Sequence, residues 1–127
     1  MSDNTELTAI SAIDGRYASK ASSLNPIVSE FGLIKYRVQV ECEWFLFLSD
    51  HEQISELPTV SSEDAKFVRN IAHDFSPADA ARVKAFERTT NHDVKAVEYF
   101  VKSKFNERPG LSMQSEWIHF CCTSEDI

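Results

Sequence analysis

Three short clusters in this chain bring together arginine, tyrosine, histidine and paired hydroxyls, and each cluster is suited to holding an anion. Arg16-Tyr17 sets the five-donor fork of a guanidinium beside a phenolic hydroxyl, a pairing that suits a carboxylate or a phosphate. So common a dipeptide reads more readily as a surface arginine next to a partly packed tyrosine. Thr90-Asn91-His92-Asp93 falls at an expected helix start, where free backbone N–H groups and the positive helix end attract anions. His92 could donate to such an anion or move a proton near neutral pH, and Asp93 could orient the ring. A capping pair with a solvated histidine explains the same residues equally well. Thr123-Ser124 places two hydroxyls at another helix start, which is a cradle for phosphate or carboxylate and also the ordinary form of an N-cap. Together the clusters point to one small ligand with several negative charges.

Other chemistries find less support. His119, Cys121 and Cys122 lack the spacing of a zinc site, where paired cysteines usually stand about two to four residues apart. They read as structural residues with buried thiols, and nothing beside Cys121 or Cys122 would activate a nucleophile. His51 and His73 lie beside acids at expected helix ends and read as solvated. The chain has no phosphate-binding glycine loop, no dinucleotide glycine pattern and no zinc-protease histidine pair. Neither a metal nor a cofactor is expected.

Helices must position these residues. Three glycines and four prolines in 127 residues disfavour a turn-rich all-β fold. From Pro26 to Asp50, Ile27, Phe31, Ile34, Val38, Cys42 and Phe45 recur at steps of three and four and mark one helix face. Its end, Trp44 to Leu48, is apolar all round and is expected to be buried on more than one side. Ser61 or Ser62 caps a second helix with Phe67, Val68, Ile71 and Phe75 inward. Ser76-Pro77-Ala78-Asp79 starts a third, running to about Arg88, and Thr89-Thr90-Asn91 reads as a break. A fourth begins at His92 or Asp93, buries Val94, Val97, Val101 and Phe105, and stops at Arg108-Pro109-Gly110. A last short helix is expected from Ser112 to Phe120, loosely held after Gly110. Thr123-Ser124-Glu125-Asp126 then signals a helix start with nothing behind it, the pattern of a sequence cut from a longer protein.

Composition narrows the partners. Lys+Arg number 13 against 20 Asp+Glu, a net charge of −7. That argues against nucleic acid, which needs a basic surface to release counterions, and against an anionic membrane. The longest apolar run, Trp44 to Leu48, is far short of the roughly 20 residues that span a bilayer. The polar start Met1-Ser2-Asp3-Asn4-Thr5-Glu6 does not read as a secretory signal. Three cysteines, two of them adjacent, do not form a disulfide framework, so a reducing cytoplasm is the expected location.

At the clusters the sequence closely resembles the bacterial type of the adenylosuccinate lyase family, within the fumarase/aspartase superfamily. The stretches that carry the resemblance are Ser11 to Tyr17, Phe86 to Phe100 around Thr89-Thr90-Asn91-His92-Asp93, and Ile118 to Ile127. The run from Glu87 to Tyr99 is the most specific. The resemblance implies an all-α fold: residues 1–111 as the N-terminal helical domain, and 112–127 as the beginning of a central helical domain. It implies β-elimination of fumarate from adenylosuccinate to give AMP, and from the succinylcarboxamide ribotide (SAICAR) to give AICAR, without a cofactor. Arg16, Tyr17, Asn91, His92, Asp93, Thr123 and Ser124 would bind substrate, with His92 an auxiliary catalytic group. The family's Met-Pro-x-Lys loop, which carries the base, and its Thr-His-Gly segment, which carries the other histidine, are absent from these 127 residues. The resemblance therefore implies an inactive isolated chain and a homotetramer whose sites are shared between subunits. A small acidic helical module that binds a partner without catalysis is the alternative expectation.

Overall fold

A computed structural model of the chain describes residues 6–127. The reading of Met1 to Thr5 as part of a polar, leaderless start lies outside the described residues. Regular structure among the described residues is entirely helical. The chain divides into two compact units, one ending at Leu33 and one spanning Ile34–Ile127.

The first unit is made of tight local turns and very short helices. Ser11 donates through its backbone N–H and its hydroxyl to Asp14 Oδ1, at 2.7 and 3.0 Å. Helix α1 (Ala18–Ala21) leads through a 3-10 turn to α2 (Asn25–Val28), and α3 (Glu30–Ser49) follows and runs on into the second unit. The continuous helix expected from Pro26 is therefore broken at Ser29. That residue is extended, with φ −73° and ψ 166°. Its hydroxyl accepts from Gly32 N–H at 3.2 Å and caps α3. The fold-back presses α2 onto Gly32: a Cβ there would stand 2.7 Å from Pro26 O and closer still to Ile27 O. Only glycine admits so close an approach.

The second unit holds the core. α4 (Ser62–His73) starts where Ser61 Oγ accepts from Asp64 N–H at 3.0 Å. α5 (Pro77–Thr90) starts at a capping box, in which Ser76 and Asp79 each satisfy the other's backbone N–H. α6 (Asp93–Phe105) packs on α5 and α4 and is the central element. Val94, Val97, Val101 and Phe105 are all buried, as their spacing predicts. Phe45 of α3 meets Phe105 edge to face at 4.8 Å, and Phe75 meets Phe100 at 5.5 Å. Trp44 to Leu48 is less enclosed than expected. Phe45, Leu46 and Leu48 are buried, but Phe47 remains 55% exposed.

Two helix ends depart from the sequence reading. α5 continues through Thr89 and Thr90 and stops only at Asn91, whose φ of 53° is left-handed. Thr89 Oγ1 donates back to Phe86 O at 2.9 Å, which accommodates the hydroxyl inside the helix. The helix expected over Ser112 to Phe120 is absent. A single turn, α7 (Pro109–Ser112), and a 3-10 turn at Ser115–Trp117 replace it. His119 and Cys121 then take left-handed φ values of 63° and 59°, which no α-helix can contain. The segment after Gly110 is nonetheless firmly seated, with Leu111 and Ile118 buried. Among the described residues no helix is long and apolar enough to cross a membrane.

Candidate anion-binding clusters and their supports

Arg37 and Glu41 stand one turn apart on α3, and each reaches a cluster far away in sequence. Arg37 Nη1 donates to Asp93 Oδ2 at 2.7 Å. That contact, outweighing partial burial, holds the Asp93 carboxyl below the ordinary carboxylate range. Asp93 Oδ1 accepts from Val94 N–H at 2.9 Å and lies 3.9 Å from His92 Nδ1. Asp93 therefore serves α3 and its own helix start, and does not orient the His92 ring. His92 is the N-cap of α6: its Nδ1 accepts from Lys95 N–H at 3.1 Å. The cap needs an unprotonated Nδ1, so a neutral ring carries its proton on Nε2. Thr90 Oγ1 donates to His92 O at 3.1 Å and accepts from His92 N–H at 3.3 Å, which pins the Asn91 turn.

Glu41 is completely buried, and its Oε1 lies 2.6 Å from His119 Nδ1. Burial pushes its carboxyl above the ordinary range. His119 draws it partly back, and nearby Glu98 pushes the same way as burial. One turn further along α3, Trp44 Nε1 donates to Phe120 O at 2.8 Å. Thr123 and Ser124 follow directly. Asp126 Oδ2 accepts from Thr123 N–H at 2.7 Å and from its hydroxyl at 3.0 Å. The cradle thus already holds a carboxylate, the chain's own, and Thr123 holds the Asp126 carboxyl below its usual range. Any other carboxylate would have to displace it.

Arg16 and Tyr17 lie in the first unit, both exposed, with the Arg16 guanidinium 4.9 Å from the Tyr17 ring centre. Asn91, His92, Asp93, Thr123 and Ser124 lie in the second unit, and α3 anchors Asp93 and the turn preceding Thr123. An open groove of about 850 Å³ at the far end of α3, beside Phe47, His51 and Arg69, touches none of the candidate residues. The expected burial of the cysteine pair is corrected, since Cys121 is exposed and Cys122 half-buried. The left-handed turn at Cys121 puts it outside the core. Burial and Glu41 push the Cys122 thiol up, the opposite of what a nucleophile requires. His73 is exposed as expected. Among the described residues no three metal-ligating side chains cluster.

Arg37 and Glu41 were not singled out from the sequence. Their signal was present: two charges four residues apart, amid the apolar series Ile34, Val38, Cys42 and Phe45. Charges there must find partners or carry a desolvation cost.

A lyase family matches residues 15–127, and the chain belongs to that family, part of the all-α fumarase/aspartase superfamily. The chain is 54% identical over 123 residues to adenylosuccinate lyase of Escherichia coli K12, covering 97% of this chain and 27% of that protein. It is 54% identical over 121 residues to adenylosuccinate lyase of Vibrio cholerae, covering 95% of this chain and 26% of that protein. It is 47% identical over 123 residues to the enzyme of that name from Legionella pneumophila (strain Corby), covering 97% and 27%. The chain thus spans about a quarter of the length of the curated relatives it matches.

Proposed function

We propose that this chain is part of an adenylosuccinate lyase and supplies anion-binding residues to its active site. The single observation that carries the reading is 54% identity to a protein of that name across 97% of the chain. The substrates would be adenylosuccinate and SAICAR, each losing fumarate to leave AMP or AICAR. Both carry a phosphate and two carboxylates, and the three clusters offer donors of the required kind. Arg16, Tyr17, Asn91, His92, Asp93, Thr123 and Ser124 are the proposed substrate contacts.

The chemistry needs such donors. A base removes the proton beside a carboxylate, so charge accumulates on that carboxylate, and preplaced donors stabilise it. An acid then protonates the departing nitrogen. In this reading both principal groups lie outside the 127 residues, and His92 assists. No cofactor takes part. Residues 1–111 form the first domain and 112–127 open the central one, and further copies of the protein complete each site as a cytoplasmic homotetramer. The acidic charge, −7, supports a small-molecule partner over nucleic acid or an anionic membrane.

The test is an assay of fumarate release from adenylosuccinate by the whole protein that contains this chain. Turnover is expected there and none from the 127 residues alone. A whole protein without turnover overturns the reading, and turnover by the isolated chain overturns the assignment of the principal groups.

A further inference from the structure

α3 supports both polar loops of the second unit in the same manner. Arg37 reaches the residue two beyond left-handed Asn91, and Glu41 reaches left-handed His119 itself. Each side chain also keeps one buried atom, Arg37 Nε or Glu41 Oε2, with no hydrogen-bond partner. A fully buried carboxylate in the middle of a helix is costly unless it is paired and hydrogen-bonded, and even then the pair contributes little net stability. Its partner here is a side chain 78 residues away, on a left-handed backbone conformation that a residue with a Cβ adopts only at a cost. Glu41 therefore adds little to the core. What it does is hold the His119–Cys121 turn, together with Trp44 on Phe120 O. Thr123 and Ser124 depart from that turn.

We propose that Glu41 is a positioning residue for the Thr123–Ser124 cradle: its buried carboxylate accepts from His119 Nδ1–H and so fixes the left-handed turn that aims the cradle. The proposal rests on the reading of Thr123 and Ser124 as substrate contacts and adds the group that places them. The ionisable groups around Glu41 are its neighbour Cys42 on α3, His119 and Cys122 on the terminal segment, and Glu98 on α6, the last paired with Lys95 at 2.8 Å and Lys102 at 3.1 Å. Both lysines are engaged by Glu98, so His119 is the donor that Glu41 has.

Nitrogen-15 NMR of histidine-labelled chain tests this, read with the backbone amides of Thr123 to Asp126. In the unsubstituted chain His119 Nδ1 carries a proton near neutral pH. Glu41→Gln retains an acceptor oxygen, so Nδ1 stays protonated and the four amides keep their shifts. Glu41→Leu removes the acceptor. The neutral ring then moves its proton to Nε2, and the Thr123 and Ser124 amides shift or broaden while Val68 and Val97 do not. An unprotonated Nδ1 in the unsubstituted chain overturns the proposal. So do unchanged Thr123 and Ser124 amides in Glu41→Leu once the ring has switched. If Glu41→Leu fails to fold, Glu41→Ala and the Gln form decide by the same signals. None of these signals needs substrate, so their failure is distinct from that of the lyase reading, which falls only on activity of the whole protein.

Discussion

The two units of this chain are stabilised by different physics. Between residues 6 and 33 the only buried residues are Gly15 and Gly32, while Leu7 is 97% and Ile10 98% exposed. What holds this unit is local: Ser11 on Asp14, Tyr17 N–H on Ala12 O at 2.9 Å, Ser29 on Gly32. From Ile34 onward the decisive contacts are distant in sequence, and positions of α6 and its neighbours such as Val38, Phe45, Val97, Phe100, Val101 and Phe105 are fully enclosed. Arg16 and Tyr17 are thus carried by turns, whereas the His92 and Thr123 clusters are carried by a core. The lesson is that residues proposed for one site need not share one source of rigidity. The turn-borne pair is held by local hydrogen bonds such as Tyr17 N–H on Ala12 O, and the core-borne clusters by packing and by contacts from α3.

The largest expected effect tests that contrast directly. Phe105→Ala removes a ring in edge-to-face contact with Phe45 and leaves a cavity between α3 and α6. It should cost about 3 to 5 kcal/mol in chemical denaturation. Ile10→Ala, at an exposed position of the first unit, should stay within about 0.5 kcal/mol. Equal losses would erase the distinction between the units.

Carboxylates sharpen it next, through pH. Burial raises Glu41 above its ordinary value of 4.5, so the folded state binds this proton more tightly than the unfolded state does. Its contribution is therefore greatest below pH 4.5 and is lost as pH rises through the folded value. Glu98 has the opposite sign. Burial pushes it up, but the Lys95 and Lys102 bonds outweigh burial and hold it below 4.5. Its contribution is present above 4.5 and is lost as pH falls through the folded value. Denaturation midpoints across pH 3 to 8 should show Glu41→Gln gaining on the unsubstituted chain with rising pH and Glu98→Gln losing ground. Asp14, which Ser11 holds low at the surface, belongs to the first unit. Asp14→Asn should leave the global midpoint unmoved at every pH.

Much of the second unit was legible in the sequence because its signals are local. Ser61, Ser76-Pro77-Asp79 and His92 announce their helices within four residues, and the spacing Val94, Val97, Val101, Phe105 names the buried face of α6. Ser76→Ala should accordingly cost about 1 kcal/mol, read as a lower melting temperature. The terminal segment was not legible, because its course is set by contacts from Glu41 and Trp44 across 78 and 76 residues. Periodicity cannot register such contacts. The clusters are recognisable by residue type, whereas the contacts of Arg37 and Glu41 span 56 and 78 residues and leave no local pattern. The break at Ser29 escaped for a different reason. Serine and a single glycine inside an apolar helical pattern lower helix propensity without announcing a fold-back.

That break supplies a small expected effect on global stability and the most discriminating one. In Gly32→Ala the new methyl meets two backbone oxygens of α2, at Pro26 and Ile27, and backbone cannot yield as a side chain would. α2 must move off α3. Yet α2 buries no residue of its own, so its displacement opens no cavity. Alanine meanwhile recovers about 1 kcal/mol of helix propensity within α3. The two should nearly cancel, leaving global stability within about 0.5 kcal/mol. The local consequence is larger. The Ser29 amide, now bonded to Asn25 O at 3.3 Å, loses its protection from hydrogen exchange, while the amides of α6 keep theirs. A global loss above about 2 kcal/mol would mean that the turns before Leu33 unfold together with the core. The pair Arg16-Tyr17 would then be as firmly placed as the clusters that α3 supports.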